Sequence, residues 1–376
     1  MNRTIAGLAA LLLASCTQQL RVEVTNPTQT ERTAETVTIS WAEVAPLCGV
    51  TPENVVVADA AGNEIPSQVI YAGEEEPQAL IFQVDAPAGE TSRFTVRTGV
   101  RADYPSKAYG RYVPERLDDY AWENDRVAFR AYGPALETAP GEMLATPGFD
   151  TWVKSTDELV IDLRYKRGNY HHDYGDGMDC YKVGRTLGAG ASAPLTDGRL
   201  WLSRNYATQR TLDNGPIRTT VRFEYAPFEV AGRKVSLVKV ISLDAGSHFN
   251  RIENIYEGDF EELPIASGFV RHDVKHITTG DGWMGLCEAA SDSKQPEEDG
   301  DIYLGIVQPG AAMLADTLKH AVAVELVKPG QRSVYYAGTG WSKGGENGVA
   351  DMEGWKAEIE KVNAAATAPL QVKVGK

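Results

Sequence analysis

Apolar and polar positions alternate along this chain in short runs, and the lengths of those runs divide it in two. Up to about residue 100, the runs at 21–26, 36–41, 54–59, 66–72, 79–85 and 92–98 are rich in Val, Ile, Thr and Phe. Turn residues separate them, as in Asp59-Ala60-Ala61-Gly62-Asn63 and Ala86-Pro87-Ala88-Gly89-Glu90. Short alternating runs at this spacing predict a small immunoglobulin-like β-sandwich over residues 20–104. This stretch holds no histidine and no convergent polar cluster, so its expected role is packing or spacing. The pattern breaks at 101–116 into a connection containing Pro and Tyr.

From Trp122 the runs lengthen, at 126–133, 158–165, 199–206, 217–225, 235–243 and 248–257, with further ones at 266–271, 303–308, 321–327 and 333–340. Asp213-Asn214-Gly215-Pro216 and Ala231-Gly232-Arg233 punctuate hairpins between them. Strands do not alternate with helices, and no blade-length repeat marks a propeller. So many long antiparallel strands predict a large supersandwich over residues 105–376, galactose-mutarotase-like in kind. One helix is expected, at 351–364, where Met352, Trp355, Ile359 and Val362 share a face. The fold class is all-β.

The first residues change the compartment. Asn2 and Arg3 precede an apolar run at 5–13, followed by Leu13-Ala14-Ser15-Cys16. A charged start, a short apolar core and small residues before a cysteine describe a secretory signal resembling a bacterial lipobox. Cleavage before Cys16 would leave it as a lipidated first residue, anchoring the protein to a membrane in the periplasm or at the outer membrane. An ordinary signal peptide is the plainer alternative. Cys48, Cys180 and Cys287 then remain, an odd set without C-x-x-C spacing, which argues against a disulfide scaffold or a cysteine zinc site. The net charge of −15 argues against a nucleic-acid partner, which needs a basic face.

Candidate chemistry concentrates in a loop from Gly168 to Pro194. Tyr170-His171-His172-Asp173-Tyr174-Gly175-Asp176-Gly177 leads to Asp179-Cys180-Tyr181-Lys182-Val183-Gly184. The run has neither strand nor helix periodicity, and a long, polar, aromatic loop inside a folded domain is characteristically functional. His171, His172, Tyr181 and, from a second polar cluster, His272 are the candidate proton-transfer groups. Tyr174, Lys182, Arg204, Arg271, Trp341 and Lys343 are the candidate substrate contacts. His172, Asp173, Asp176 and Asp179 are oxygen-rich enough to suit a hard cation, although their spacing departs from an EF-hand, and Asp and Gly are also what turns prefer. For His248 a turn role bonded to nearby backbone is the favoured reading.

The stretch Trp122-Glu123-Asn124-Asp125-Arg126-Val127-Ala128-Phe129-Arg130-Ala131-Tyr132-Gly133-Pro134, the loop just quoted and Gly340-Trp341-Ser342-Lys343-Gly344 are together similar to a bacterial and fungal family known as domain of unknown function 4861. The resemblance covers nearly all of the chain beyond the signal. It implies a place in polysaccharide utilisation and a dehydratase or lyase-type activity on terminal uronic acids. Such β-elimination needs a neutralised carboxylate, a base for the C5 proton and an acid for the C4 oxygen, all of which the loop and its neighbours offer. No cofactor is required, and a divalent cation is optional. A glycoside hydrolase using a pair drawn from Glu123, Asp173 and Asp179, a mutarotase-like enzyme, and a non-catalytic sugar-binding lipoprotein are the alternatives.

Overall fold

The computed structural model describes residues 18–293 and 295–375, and the chain is all-β with antiparallel sheets, as the alternation predicts. Cys16 lies outside the described residues. Among the described residues no helix is long and apolar enough to cross a membrane.

The first unit is a two-sheet sandwich. In one sheet Gln19–Thr25 pairs with Thr91–Thr98, which pairs in turn with Val55–Ala58. In the other, Ala79–Ala86 lies between Arg32–Ser40 and Ser67–Ile70. Val22, Val24, Val37, Ile39, Phe82 and Val96 meet between the sheets. The last strand of the chain, Gln371–Gly375, returns to this unit and pairs with Gln19–Thr25. The chain therefore leaves the sandwich near residue 100 and re-enters it after the C-terminal helix.

The second unit is the larger sandwich. Its eight-stranded sheet runs Thr208–Asp213, Arg218–Val230, Arg233–Asp244, Phe249–Gly258, Arg332–Trp341, Asp301–Val307, Trp283–Ala289, Val274–Gly280. It faces a layer built from two five-stranded sheets. One comprises Arg199–Leu200, Ala189–Thr196, Leu263–Val270, His320–Val327 and Ala312–Thr317. The other comprises Gly177–Asp179, Phe149–Lys154, Ala128–Ala131, Asp119–Asn124 and Ala108–Val113. A parallel bridge between Phe149 and Gly188 joins the two. A single core cluster runs through all three sheets, with Trp122 and Phe129, Ile265 and Phe269, and Phe223 and Leu237 as representatives.

The C-terminal helix spans Met352–Thr367, close to its predicted place. The Asp351 carboxylate caps it by accepting from Gly354 N at 2.8 Å. Trp355 and Ile359 pack on the outer face of the long sheet against Phe249, Cys287 and Tyr303.

Two predicted strands are not strands. Residues 158–165 run instead into a helix, Ile161–Arg167. Its N-terminus is capped from a distance, because the Glu123 carboxylate accepts from Val160 N at 2.9 Å and Ile161 N at 2.8 Å. Of 199–206 only Arg199–Leu200 is a strand. The rest is held by side chains: Asn205 accepts from Thr146 N and donates to Gly133 O. The strands Asp119–Asn124 and Phe149–Lys154 escaped prediction because both of their faces are buried, which erases the alternation.

Candidate active site

The five-stranded sheet from Ala108 to Asp179 turns Trp122, Phe129, Val153 and Met178 into the core. Strand geometry then sends their alternates, Asp119, Arg130, Asp150, Trp152 and Asp179, to the opposite face. Helix Ile161–Arg167 and the loop after it roof that face, so these charges are buried.

Arg130 is the hub. Its Nη2 lies 2.5 Å from Asp150 Oδ2 and 3.0 Å from Asp179 Oδ2, and its Nη1 lies 3.9 Å from Asp119 Oδ2. Nη1 also donates to the Tyr170 hydroxyl at 3.2 Å. The guanidinium sits 4.9 Å from the ring centre of Tyr132, 5.3 Å from that of Trp152 and 5.4 Å from that of Tyr170.

Three buried carboxyls share this one cation, and their proton affinities rise accordingly. Burial, reinforced by the Asp179 charge, pushes Asp150 up to about 7. Burial pushes Asp179 up to about 6 against the pull of Arg130, and Asp119 up to about 6 in the same way. Their titrations are coupled through the shared guanidinium, and Asp150, raised furthest, is the last of the three to lose its proton as pH rises. For Arg130, burial works against the charge, but the carboxylates, Asp150 foremost, keep it well above its ordinary value. Asp179 Oδ1, Asp119 Oδ2 and Arg130 Nε are buried without a hydrogen-bond partner.

His171 stands half-exposed at the rim of this cluster. Its Nδ1 is 3.1 Å from the Asp179 carbonyl oxygen. A carbonyl only accepts, so Nδ1 carries the hydrogen and Nε2 presents a lone pair. The carboxylates of Asp179 and Asp292 lie 3.7 Å and 4.0 Å from Nδ1. Gly177 lets the short strand that carries Asp179 pair closely with Phe149–Lys154. At φ +90° its backbone comes so close to Val153 that an added Cβ would lie 2.2 Å from Val153 O.

The other residues expected at the site are placed as follows. His172 is exposed and meets the Tyr174 ring edge-on at 4.7 Å, and Tyr174 lies 4.3 Å from the Arg167 guanidinium. Tyr181 is sealed in the core, donating to Gly188 O at 3.1 Å, and burial pushes its hydroxyl well above the ordinary value. That position is a brace rather than a proton relay. His272 has both ring nitrogens engaged, Nδ1 at 2.6 Å from Glu288 Oε1 and Nε2 at 2.8 Å from Lys182 O. Burial disfavours its charge, but the bond to Glu288 and the Glu288 carboxylate leave the pKa raised. It therefore staples the Lys182 backbone in place.

Lys182 is exposed. Arg204 pairs with Glu137, Arg271 with Asp316, and Lys343 bonds Glu298 O. Trp341 is buried and donates to Asp299 O at 2.7 Å. None of these four bonds to the Arg130 cluster. The aspartates considered for a cation are engaged separately. Asp173 accepts from Gly175 N and Gly177 N, Asp176 pairs with Arg167, and Asp179 lies under Arg130. Among the described residues no three His, Cys, Asp or Glu groups converge on a metal-sized site. Glu123, considered for a hydrolytic pair, is spent on the helix cap and on Lys154 at 2.9 Å.

Sequence reasoning missed Arg130, Asp119, Asp150 and Tyr132. Asp150 and Arg130 carry a local signal in an aromatic two positions on, Trp152 and Tyr132, whereas Asp119 has none.

Fold and geometry together define a supersandwich protein with a buried carboxyl cluster around one arginine, beneath a half-exposed histidine. The chain belongs to the family described as domain of unknown function (DUF4861), which matches residues 24–372. A curated relative, "Uncharacterized protein P7" of Formosa agariphila, is 30% identical over 395 residues, covering 97% of each chain. Among solved structures, a protein of glycosyl hydrolase family 38 from Enterococcus faecalis superposes with a TM-score of 0.50 at 10% identity, over 95% of this chain and 47% of its own. An α-mannosidase from Enterococcus faecalis gives a TM-score of 0.47 at 8% identity, over 95% and 46%. The chain thus spans about half the length of the solved structures it matches.

Proposed function

We propose that the protein is a carbohydrate-active enzyme that cleaves uronic-acid-containing oligosaccharides by β-elimination, leaving a 4,5-unsaturated uronate. The observation that carries this reading is the orientation of His171. The Asp179 carbonyl holds Nδ1–H, which leaves Nε2 of this half-exposed ring with a free lone pair, beside buried carboxyls whose proton affinities are raised. Nε2 takes the C5 proton, the C5–H electrons form the C4=C5 double bond, and the C4–O bond breaks. The imidazolium, supported by Asp179 and Asp292, returns the proton to the departing oxygen. The exposed Lys182 ammonium is the cation suited to the uronate carboxylate, whose charge grows in the transition state. Tyr174 and His172 offer the sugar an aromatic face.

The second reading is a glycoside hydrolase, favoured by the raised proton affinities of Asp150 and Asp179 at one guanidinium nitrogen. Both carboxyls are covered, so neither meets a glycosidic oxygen without movement of the roof. The lipid-anchored location at Cys16, in the periplasm or at the outer membrane, belongs to the same proposal.

The test is incubation with oligosaccharides ending in glucuronate or iduronate, following the ultraviolet absorbance of the new conjugated double bond. The absorbance should rise with the wild type, and His171→Ala should lower kcat by at least about a hundredfold. New reducing ends without an absorbance change would replace elimination by hydrolysis. Full turnover in a folded His171→Ala protein would remove His171 from the chemistry.

A further inference from the structure

The outer face of the first sandwich carries a groove of about 800 Å³, far from the histidine loop in sequence. Arg21, Arg93, Arg97 and Lys373 line it, with Glu23 and Asp59. Strand parity places these side chains together. Leu20, Val22 and Val24 point into the core, so Gln19, Arg21 and Glu23 point out, and Phe94 and Val96 do the same for Arg93, Thr95 and Arg97. Pairing then forms ranks across the sheet. Gln19 stands opposite Arg97, Arg21 opposite Thr95, and Glu23 between Arg93 and Lys373. Successive ranks lie roughly 7 Å apart along the strands.

This basic strip belongs to a chain with a net charge of −15. Its four cations exceed the two lining acids by two charges, and Glu64 lies within the field of Arg97 as well. Asp59 is committed to its own turn, accepting from Ala61 N, Asn63 N and the Asn63 side chain. Glu23 answers Arg93 alone, at 3.2 Å and in solvent, where such a pair is weak. Arg21 and Lys373 have no ion-pair partner among the described residues.

We propose that this groove is a second, non-catalytic carbohydrate site that binds a uronate-containing oligosaccharide through its carboxylates. The charge complementarity stands on its own, whereas the choice of uronate rests on the elimination reading above. Cations on successive ranks of the sheet fit a chain bearing regularly repeated charges. An anionic membrane is the competing occupant, because Gln19 follows the proposed lipid-bearing Cys16 by three residues, and the vesicle arm below separates the two. The site would hold a polymer near the enzyme while the histidine loop acts on a chain end.

The test uses the full-length protein in native gels containing polygalacturonate, alginate or chondroitin sulfate, with dextran as the neutral control. The wild type should be retarded in at least one anionic gel and not in dextran, less so as salt is raised. Arg21→Ser with Arg97→Ser and Lys373→Ser should weaken that retardation roughly tenfold while turnover of a disaccharide substrate is unchanged. His171→Ala should be retarded like the wild type, which separates the groove from the catalytic reading. Were elimination to fail as the chemistry, retardation lost only in the groove variant would still support the site. Equal retardation of folded groove variant and wild type, or none in any anionic gel, would overturn it. Loss of binding to phosphatidylglycerol vesicles with unchanged retardation would also overturn it, in favour of a membrane contact.

Discussion

Lys239 invites a substitution whose outcome can be worked out in advance. It is fully buried between the sheets of the larger sandwich. Among the described residues its ammonium meets no carboxylate. It donates to Ser192 Oγ at 2.9 Å and lies 5.4 Å from the Phe149 ring centre and 6.0 Å from that of Tyr225. Burial alone pulls its pKa from the ordinary 10.5 down to about 7. Lys239→Met keeps the length of the side chain and removes the charge. Ser192 would still be served by Tyr256 OH at 2.9 Å and Asn254 Nδ2 at 3.0 Å.

At roughly 1.4 kcal/mol per pKa unit, burying this ammonium costs up to about 5 kcal/mol below pH 7, where folded and unfolded chains both carry the proton. Setting about 1 kcal/mol against that for the lost hydrogen bond, and allowing for relaxation around the charge, the Met variant should gain about 2–4 kcal/mol there. Between about pH 7 and 10.5 the unfolded lysine is protonated and the folded one is not. The unfolded state then binds more protons, so wild-type stability rises with pH through that window and the advantage of the variant shrinks. Urea unfolding of both proteins at about pH 6, 7.5 and 9, followed by near-ultraviolet circular dichroism, measures this. A stability difference that stays constant across that range, or a Met variant less stable than wild type at pH 6, would refute the reasoning.

Arg130→Met should destabilise the protein by roughly 3–5 kcal/mol near neutrality, because Asp119, Asp150 and Asp179 lose their shared cation, and should do less harm in acid, where the three carboxyls are protonated; urea midpoints across pH test both. His272→Gln should cost most below about pH 6.5, since a pKa raised in the folded state gives stability that is present in acid and lost as pH rises through the folded value; melting temperatures at acid and alkaline pH should converge at the alkaline end. Tyr181→Phe should lower the melting temperature and leave kcat within a few-fold, because its hydroxyl serves the Gly188 carbonyl; a hundredfold loss of kcat in a stable variant would return it to the chemistry.

The fold was legible where one strand face meets solvent. Arg233–Asp244 alternates buried and half-buried positions almost without a break, and its prediction was accurate to about two residues at each end. It was illegible where both faces are covered, as at Phe149–Lys154, and where a distant side chain decides. The helix at Ile161 depends on a carboxylate 38 residues earlier, beyond the reach of any local window. The site divides in the same way. His171 stood out by composition, in a glycine-freed loop beside other titratable groups. Arg130 and Asp150 occupy the polar positions of ordinary-looking strands, and an outward strand position in an antiparallel sheet normally faces water. Only the roof makes them buried charges, and the roof is a tertiary fact.

The same sheet face carries two buried ion clusters, and comparing them shows which belongs to folding. Lys154 Nζ donates to Glu123 Oε2 at 2.9 Å and to Asn124 O at 2.6 Å, while Glu123 also accepts from Val160 N and Ile161 N. Neither side chain has a buried atom without a partner, and together they fix where the roof helix begins. That pair has a complete structural explanation. The Arg130 cluster lacks one. It collects three carboxyls around one guanidinium and leaves Asp119 Oδ2, Asp179 Oδ1 and Arg130 Nε unpartnered. A buried ion cluster is weak as a source of stability and weaker still when its hydrogen bonding is incomplete. Perturbed, under-satisfied groups of this kind gather where a protein handles protons. The cluster also ends at Asp179, whose backbone carbonyl sets the tautomer of His171. The buried charge is therefore connected to a half-exposed histidine by one residue, which is why the candidate site is placed there and not at the more conspicuous pair of Tyr181 and His272.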